Sequence, residues 1–207
     1  MSVIRTFDLA GTAVFAVTGA LVAGRKRMDV FGVAVVGLVT ALGGGTLRDL
    51  ILGSGPVFWS KDTAYVVVAL VAAATTFFLA GMVRMPTRAL VVADALGLAI
   101  FTIVGAQRAL DGHFSPLIAV VMGTMTGVFG GIVRDLLCGE VPLILRKEVY
   151  ATASLAGGLV FVLFLRLQMS MPVAAVIAAA VILVIRLAAI HWGLSLPTFR
   201  APENEAQ

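Results

Sequence analysis

Long apolar stretches dominate the chain, and they restrict what it can fold into more than any other feature. Seven of them run approximately over residues 4–24, 30–52, 63–83, 89–109, 114–137, 149–165 and 167–190. About 20 residues of apolar helix cross the hydrocarbon core of a bilayer. The stretches are continuously apolar rather than alternating, which favours helices over a barrel. With 60% hydrophobic and 13% charged residues, we predict an all-α integral membrane protein with seven transmembrane helices.

The sequence also repeats itself at a constant offset of 86 residues. Residues 8–61 share eighteen identities with residues 94–147 without a gap. The identical pairs include Asp8/Asp94, Arg48/Arg134, Asp49/Asp135, Pro56/Pro142 and Lys61/Lys147. We therefore predict a single membrane domain, 1–207, divided into repeat one (4–83), repeat two (89–166), an extra helix (167–190) and a cytoplasmic tail (191–207).

Each repeat holds three spans, an odd number, so the second copy must enter the membrane from the opposite side. Inverted repeats of this kind place a pseudo-two-fold axis in the membrane plane, and transport pathways lie where the halves meet. The seventh helix has no counterpart, and we expect it to serve as a packing helix or an oligomer contact.

Clustered glycines interrupt spans two and five. Span two carries Gly43, Gly44 and Gly45 in "GGGTLRD", and span five carries Gly130 and Gly131 in "GGIVRD". Each glycine weakens a helix by about 1 kcal/mol relative to alanine. We predict that these are kink or break points that line a pathway. The alternative is that the glycines only allow close helix packing, as small residues do in membranes.

Ionisable residues inside the spans form two matching sets. Asp8 opens span one near the membrane face at which Arg48 lies. Asp94 and Arg134 stand in the same relation at the other face. Charges within spans usually pair or line a water-filled route, so we predict ion pairs or networks between these partners; snorkelling to lipid headgroups is the alternative. The neighbours Arg48 and Asp49 point different ways on a helix and need not form an ion pair with each other. The predicted pore-flanking charge network comprises Asp8, Arg48, Asp49, Asp94, Arg134 and Asp135.

The stretch "RKEVYA", residues 146–151, precedes span six and contains a second charged group. Arg146 and Lys147 could attract anionic lipid headgroups at a cytoplasmic interface, or they could satisfy the positive-inside bias alone. Glu148, like Asp62, is predicted in the first turn of its helix, where the helix dipole favours a carboxylate. We expect Arg146, Lys147 and Glu148 to act in gating or lipid contact.

The distribution of basic residues predicts an orientation. Placing the N-terminus outside puts ten of the 15 Lys and Arg residues at the inner side: Arg25, Lys26, Arg27, Arg84, Arg88, Arg134, Arg146, Lys147, Arg186 and Arg200. Cytoplasmic loops collect Lys and Arg, so we predict the N-terminus outside and the C-terminus in the cytoplasm. The same bias explains the net charge of +4 without a nucleic-acid partner.

Catalytic chemistry finds no support in the sequence. No His, Cys and carboxylate residues stand at metal-ligand spacing, no glycine-rich loop follows a strand, and no nucleophile has an evident base. The single cysteine, Cys138, excludes a disulfide within the chain. We predict that the protein is not an enzyme and needs no cofactor or bound metal.

The repeats, the seventh helix and the motifs "GGGTLRD", "GGIVRD" and "RKEVYA" resemble the prokaryotic branch of the TRIC family, the trimeric intracellular cation channels, over roughly residues 5–190. The resemblance implies a homotrimer with an hourglass pore in each protomer, formed around kinked second and fifth helices and passing monovalent cations, chiefly potassium. It implies a prokaryotic plasma membrane, and a role for Lys147–Val149 in fixing or gating the kinked helices. Phe129 stands where the first glycine of the motif is expected, which suggests two unequal pore halves.

A secondary transporter is the main alternative to a channel. The same inverted repeat could alternate access to a small neutral or zwitterionic solute held at the glycine clusters. A lipid-binding membrane protein without flux is a third, weaker possibility.

Overall fold

The structure, a computed structural model, describes residues 3–82 and 87–197, and these form the predicted all-α membrane fold. The helices are α1 (Val3–Arg25), α2 (Val30–Leu52), α3 (Phe58–Lys61), α4 (Ala64–Met82), α5 (Thr87–Asp111), α6 (Pro116–Leu137), α7 (Ala151–Arg166) and α8 (Met171–Trp192), with a 3₁₀ turn at Leu143–Leu145. The short α3 was not predicted. Within the described ranges, five helices are long and apolar enough to cross a membrane, whereas Ala64–Ala80 and Ala151–Arg166 are shorter apolar segments. The count of seven spans therefore stays a prediction.

Local capping chemistry sets the ends of the two motif helices. The Asp29 side chain accepts a hydrogen bond from Gly32 N at 2.8 Å and begins α2. Ser115 accepts from Ile118 N at 3.4 Å before the proline that opens α6. Ser and Asp are favoured at these positions because their oxygens satisfy free N–H groups of the first turn. Gly53, with a φ of 61°, ends α2 in the left-handed conformation that glycine tolerates.

The extra helix lies slightly later in the chain than predicted. It begins after Ser170, is opened by a proline in its first turn, and ends at Gly193 with a φ of 64°. His191 and Trp192, which were assigned to the tail, therefore belong to α8. The tail from residue 198 onward, and residues 83–86 of the linker between the repeats, lie outside the described residues; they include Arg84 and Arg200.

Equivalent helices of the two repeats pack against each other across the middle of the molecule. Helix α1 lies on α5, and α2 lies on α6, while α4 packs on α1 and α2 and α7 packs on α5 and α6. Helix α8 covers α5 and α7. At the centre, Phe15 of α1 meets Phe101 of α5, its equivalent at an offset of 86, with ring centroids 5.1 Å apart. The fold thus brings the two motif helices, α2 and α6, face to face.

Candidate functional site

Both motif helices continue as α-helix through their glycine clusters. Helix α2 is unbroken over Val30–Leu52, and α6 is unbroken over Pro116–Leu137. The predicted break in the helix is therefore wrong, while a bend stays a prediction. The propensity lost at each glycine is only about 1 kcal/mol, and tertiary packing of the helix outweighs such local costs.

Two of the clustered glycines form the crossing of α2 and α6. A side chain at Gly44 would overlap the backbone carbonyl of Thr126 on α6. A side chain at Gly130 would overlap the carbonyl of Thr40 on α2. These two contacts are equivalents of one another at the offset of 86. The close approach of the two backbones therefore requires glycine on both helices.

The remaining glycines of the clusters have different surroundings. A Cβ at Gly45 would lie 2.5 Å from the ring of Phe58. A Cβ at Gly131 would lie 3.2 Å from the Tyr150 hydroxyl, beside the buried charges described below. Gly43 has room, since its Cβ would meet only the Phe129 ring at 4.0 Å. The three positions therefore differ in how much a methyl group would disturb them.

At one end of the crossing, the Arg134 end, a buried guanidinium joins three partners. Arg134 Nη1 donates to Asp94 Oδ1 at 2.6 Å and to Thr18 Oγ1 at 3.2 Å. Arg134 Nε donates to Asp135 Oδ1 at 2.9 Å. Asp135 Oδ2 in turn accepts from Leu143 N at 3.1 Å. The Asp94–Arg134 pair that the spacing predicts is present, and Thr18 of repeat one joins the network of repeat two.

At the opposite end, the Arg48 end, the pairing differs. Asp8 Oδ2 accepts from the Tyr65 hydroxyl at 3.3 Å and lies 3.9 Å from Arg108 Nη2. No hydrogen bond or ion pair joins Asp8 to Arg48 in the described part of the chain, so the direct pair predicted there is not formed. Arg48 Nη1 and Asp8 Oδ1 are both buried and have no hydrogen-bond partner among the described residues.

Neighbouring arginine and aspartate residues pair at both ends, a pairing that the sequence prediction did not require. Arg48 Nε donates to Asp49 Oδ1 at 2.8 Å, just as Arg134 does to Asp135. The arginine side chain is long enough to turn back along its own helix. The aspartate is held from the other side, since Asp49 Oδ2 accepts from Phe58 N at 2.8 Å. Each aspartate therefore joins the C-terminal end of its own helix to the chain just beyond the next loop, at Phe58 for Asp49 and at Leu143 for Asp135.

A cavity adjoins each network. The cavity at the Arg134 end has a volume of about 270 Å³, and its charged lining is Arg25, Lys26, Asp94, Arg134, Asp135, Glu140, Arg146 and Glu148. The cavity at the Arg48 end has a volume of about 450 Å³ and its charged lining includes Arg5, Arg48, Asp49, Lys61, Asp62 and Arg108. In the described ranges, no group of His, Cys, Asp or Glu side chains is placed to hold a metal ion. Both cavities therefore present side chains of both signs.

The segment before α7 lines part of the cavity at the Arg134 end, and hydrogen bonds and an ion pair hold it in place. Arg146 Nε donates to the Val141 carbonyl at 2.8 Å, and its Nη2 lies 3.5 Å from Glu140 Oε2. The Lys147 side chain is exposed, and its carbonyl accepts from Leu196 N at 2.8 Å. Glu148 lies before α7 rather than in its first turn. Lipid contact and gating by these residues stay predictions.

Sequence reasoning missed both tyrosines of the chain and the burial of Arg186 on α8. Tyr65 and Tyr150 are the chain's 2 tyrosines, and they are related by an offset of 85 rather than 86 because the stretch from Lys147 to Tyr150 is one residue shorter than that from Lys61 to Tyr65. Tyr150 is buried beside Asp94, although its hydroxyl has no partner of hydrogen-bond geometry among the described residues. Allowing one gap after the Lys61/Lys147 pair would have aligned the two tyrosines.

This geometry defines an all-helical membrane protein with two facing, glycine-bearing helices and a buried charge network at each end of their crossing. A family model described as glycine transporter matches residues 5–81 and again residues 91–166. The chain is 50% identical over 199 residues to the UPF0126 inner membrane protein YadS of Escherichia coli, covering 95% of this chain and 96% of that protein. It is 50% identical over 202 residues to a UPF0126 membrane protein of Vibrio cholerae, covering 96% and 83%.

Solved structures give the same assignment. The chain is similar to the TRIC trimeric intracellular cation channel orthologue from Rhodobacter sphaeroides, with a TM-score of 0.90 and 45% identity over 94% of this chain and 100% of that one. It is also similar to a structure described as a basis for conductance through TRIC cation channels, with a TM-score of 0.86 and 34% identity over 97% and 99%. The chain belongs to this family, the one that the glycine transporter model describes and that includes the prokaryotic TRIC channels. The resemblance drawn from its motifs is confirmed.

Proposed function

We propose that the protein is a monovalent cation channel that prefers potassium and works as a homotrimer with one route through each protomer. One observation carries the proposal: a charged cavity lies at each end of the α2–α6 crossing. It is supported by 45% identity to a chain described as a trimeric cation channel orthologue. No separate cofactor is involved, since the permeant cation itself is the ligand.

The balance of buried charge supports cations rather than anions. Asp8, Asp49, Asp94 and Asp135 are all buried in the networks at the two ends of the crossing. Among the described residues, the fully buried guanidinium groups of these networks are those of Arg48 and Arg134, while Arg108 beside Asp8 is exposed to solvent. The carboxylates therefore outnumber the guanidinium groups, and an excess of buried negative charge raises the local concentration of cations.

Two carboxylate oxygens are free to meet an ion. Asp8 Oδ1 and Asp94 Oδ2 are buried and have no hydrogen-bond partner among the described residues. These equivalent atoms lie at opposite ends of the crossing. A buried carboxylate oxygen without a donor gains from a nearby cation, because its own desolvation is otherwise uncompensated.

Flux requires the crossing to open, because the backbones of α2 and α6 are in contact at Gly44 and Gly130. We infer that the glycine clusters, Gly43–Gly45 and Gly130–Gly131, are the positions at which the two helices bend. Glycine lowers the cost of departing from helical geometry. The crossing would then act as the narrow part of an hourglass between the two cavities.

A second candidate is a carrier for glycine or a similar zwitterion. The description of the family model, glycine transporter, favours it. The lining of each cavity also contains both signs of charge, as recognition of an ammonium and a carboxylate on one solute requires. In a carrier, the two charge networks would close alternately over a central solute.

Recording from purified protein in planar bilayers under a KCl gradient tests the proposal. We expect unitary current steps with a reversal potential near that of potassium. Asp94→Asn should shift the reversal potential toward that of chloride, whereas Asp29→Asn, an exposed cap on α2 that asparagine also satisfies, should not. Saturable glycine uptake into proteoliposomes, without current steps, would contradict the channel and support the carrier.

We place the protein in a bacterial plasma membrane, as the name of the Escherichia coli relative supports, with the N-terminus outside and the C-terminus in the cytoplasm. The Arg134 end would then face the cytoplasm, where exposed Arg146 and Lys147 could contact anionic headgroups. A reporter that fluoresces only in the cytoplasm, fused after residue 207, should be bright. The same reporter fused before residue 1 should be dark.

A further inference from the structure

The segments that precede the third helix of each repeat occupy equivalent places but are fastened differently. In repeat one this segment is residues 61–64. Arg5 Nη2 lies 2.7 Å from Asp62 Oδ2, and Arg5 Nε donates to the same oxygen at 2.9 Å. Asp62 Oδ1 also accepts from Ala64 N at 3.1 Å. An ion pair from α1 therefore holds the segment that leads to Tyr65.

Repeat two lacks this ion pair. The residue at the offset of 86 from Arg5 is Val91, whose side chain cannot pair with a carboxylate. The equivalent segment, residues 146–149, leads to Tyr150 and is approached instead by α8, which lies outside both repeats. The two halves therefore hold the same kind of segment by different means.

Arg186 of α8 takes the place of the missing arginine. It is 0% exposed, its Nη1 donates to the Val149 carbonyl at 2.9 Å, and its Nη2 lies 3.3 Å from Glu148 Oε2. Its guanidinium also lies over the ring of Tyr150, 4.8 Å from the centroid. A single buried side chain thus contacts Glu148 and Val149 of the segment and the Tyr150 that follows it.

The chain after α8 makes a second set of contacts with this segment. We name residues 193–196 the C-terminal strap. Gly193 reverses the chain direction with a φ of 64°. Ser195 then forms an antiparallel bridge with Glu148, and Leu196 N donates to the Lys147 carbonyl at 2.8 Å. The strap therefore pairs with the backbone of the same segment that Arg186 holds by its side chain.

The strap covers a cavity that adjoins the one at the Arg134 end. This second cavity has a volume of about 280 Å³, and Val91 and Glu148 line both cavities. Arg5 lines the cavity at the Arg48 end, whereas in repeat two its counterpart Val91 lines this second cavity together with Arg186 and the strap. Movement of the strap would change the cavity beside the buried network of Asp94 and Arg134.

We propose that Arg186 and the C-terminal strap are a conformational device that substitutes for the Arg5–Asp62 ion pair in repeat two. The segment at residues 146–150, and with it the position of Tyr150, depends on the C-terminal end of the chain. The equivalent segment at residues 61–65 does not. The Arg134 end can therefore be loosened by a change at the C-terminus while the Arg48 end stays closed.

Hydrogen–deuterium exchange of the full chain in lipid nanodiscs tests this without measuring flux, so its result is separate from that of the channel proposal. Leu196→Pro removes one donor of the strap, and Arg186→Met removes the buried ties. In each variant we expect amides of residues 146–150 to exchange about fivefold faster or more, because local opening of the segment becomes easier when a hydrogen bond that holds it is lost. Amides of residues 61–65 should be unchanged. The matched control, Arg5→Met, should give the reverse pattern.

A rescue variant distinguishes loss of the Arg186 interaction with residues 148–150 from a general destabilisation of the protein. Val91→Arg combined with Arg186→Met should slow exchange at residues 146–150 again, because the new arginine can reach Glu148, which lines the same cavities. Unchanged exchange at residues 146–150 in Leu196→Pro would overturn the proposal. Equal acceleration of both segments in Leu196→Pro would also overturn it.

Discussion

At the scale of single residues, the two buried arginines of the motif helices differ in how many hydrogen-bond partners they have. Arg134 has two carboxylates and a hydroxyl within hydrogen-bond distance, whereas Arg48 has one carboxylate and a buried nitrogen without a partner among the described residues. Removing one member of a buried ion pair is costly because the other charge is left uncompensated.

Asp94→Asn should therefore destabilise the protein by about 3 kcal/mol, the low end of what breaking a buried pair costs. The neutral amide cannot offset the charge of Arg134, which would keep only Asp135. Thermal or denaturant-induced unfolding in detergent measures the loss. Asp111→Asn, at an exposed position that accepts from Gln107, should change stability by less than about 0.5 kcal/mol. Equal effects of the two variants would contradict this.

Glu140 predicts a pH dependence. A hydrogen bond from Lys26, at 2.5 Å, and its charge lower the pKa of Glu140 below its ordinary value of 4.5. A lowered folded-state pKa contributes stability that is present above the ordinary pKa and is lost as pH falls through the folded-state value. The difference in melting temperature between the native chain and Glu140→Gln should be present at neutral pH, begin to fall below the ordinary pKa of 4.5, and vanish once the pH is below the lowered folded-state pKa. A difference that does not depend on pH would contradict the assignment.

At the scale of helices, the crossing of α2 and α6 needs backbone contact at two equivalent points. Both contacts place a glycine against a threonine carbonyl. The hydroxyls of these threonines donate to carbonyls of their own helices, at 2.6 Å from Val36 O for Thr40 and at 2.6 Å from Met122 O for Thr126. Their hydroxyls are thus satisfied within each helix, and the crossing is held by packing rather than by side-chain hydrogen bonds between α2 and α6.

Gly44→Ala should destabilise the crossing by about 1–3 kcal/mol, the usual cost of overpacking. The added methyl group would overlap the Thr126 carbonyl, and backbone cannot move aside as a flexible side chain can. Gly43→Ala supplies the matched control, since the same substitution one residue earlier meets only the Phe129 ring at 4.0 Å. That variant should be neutral or more stable, because alanine favours the helix. Unfolding in detergent compares the two, and an equal loss in both would exclude a role for the close contact.

The sequence predicted the all-α membrane fold and the meeting of the two motif helices, because continuous apolarity and repeated rare residues are both local patterns. It did not predict how side chains meet. The pairing of Arg48 with Asp49 depends on Phe58 N, which holds the aspartate from beyond the loop. The break at the glycines was predicted from propensity, which packing overrode.

The contributions of Tyr150 and Arg186 were hidden for different reasons. A one-residue deletion between Lys147 and Tyr150 displaced Tyr150 from its counterpart in the ungapped alignment. Arg186 was read as one more basic residue at the membrane surface, since α8 has no partner in the repeat. Its burial depends on the fold of residues 148–150 against α8, a contact between parts of the chain far apart in sequence.

At the scale of the whole molecule, the apolar outer surface calls for lipid or protein neighbours. Phe31, Leu50 and Leu117 are among the large apolar side chains that the single chain leaves exposed. For the proposed homotrimer, native mass spectrometry from mild detergent should give three times the chain mass of 21.5 kDa, which is 64.5 kDa. A species at the single-chain mass under conditions that preserve the fold would contradict it. Closed symmetry is the usual outcome for copies of one chain.

The placement of similar charge networks at opposite ends has an electrical consequence. An ion entering from either side of the proposed route would first meet an arginine–aspartate pair with an adjacent buried carboxylate, in reversed order along the same axis. Current carried by such a path would be nearly the same in both directions of voltage. Any rectification would then measure how far the one-residue deletion before Tyr150, and helix α8 with no counterpart in repeat one, have made the two entrances unlike.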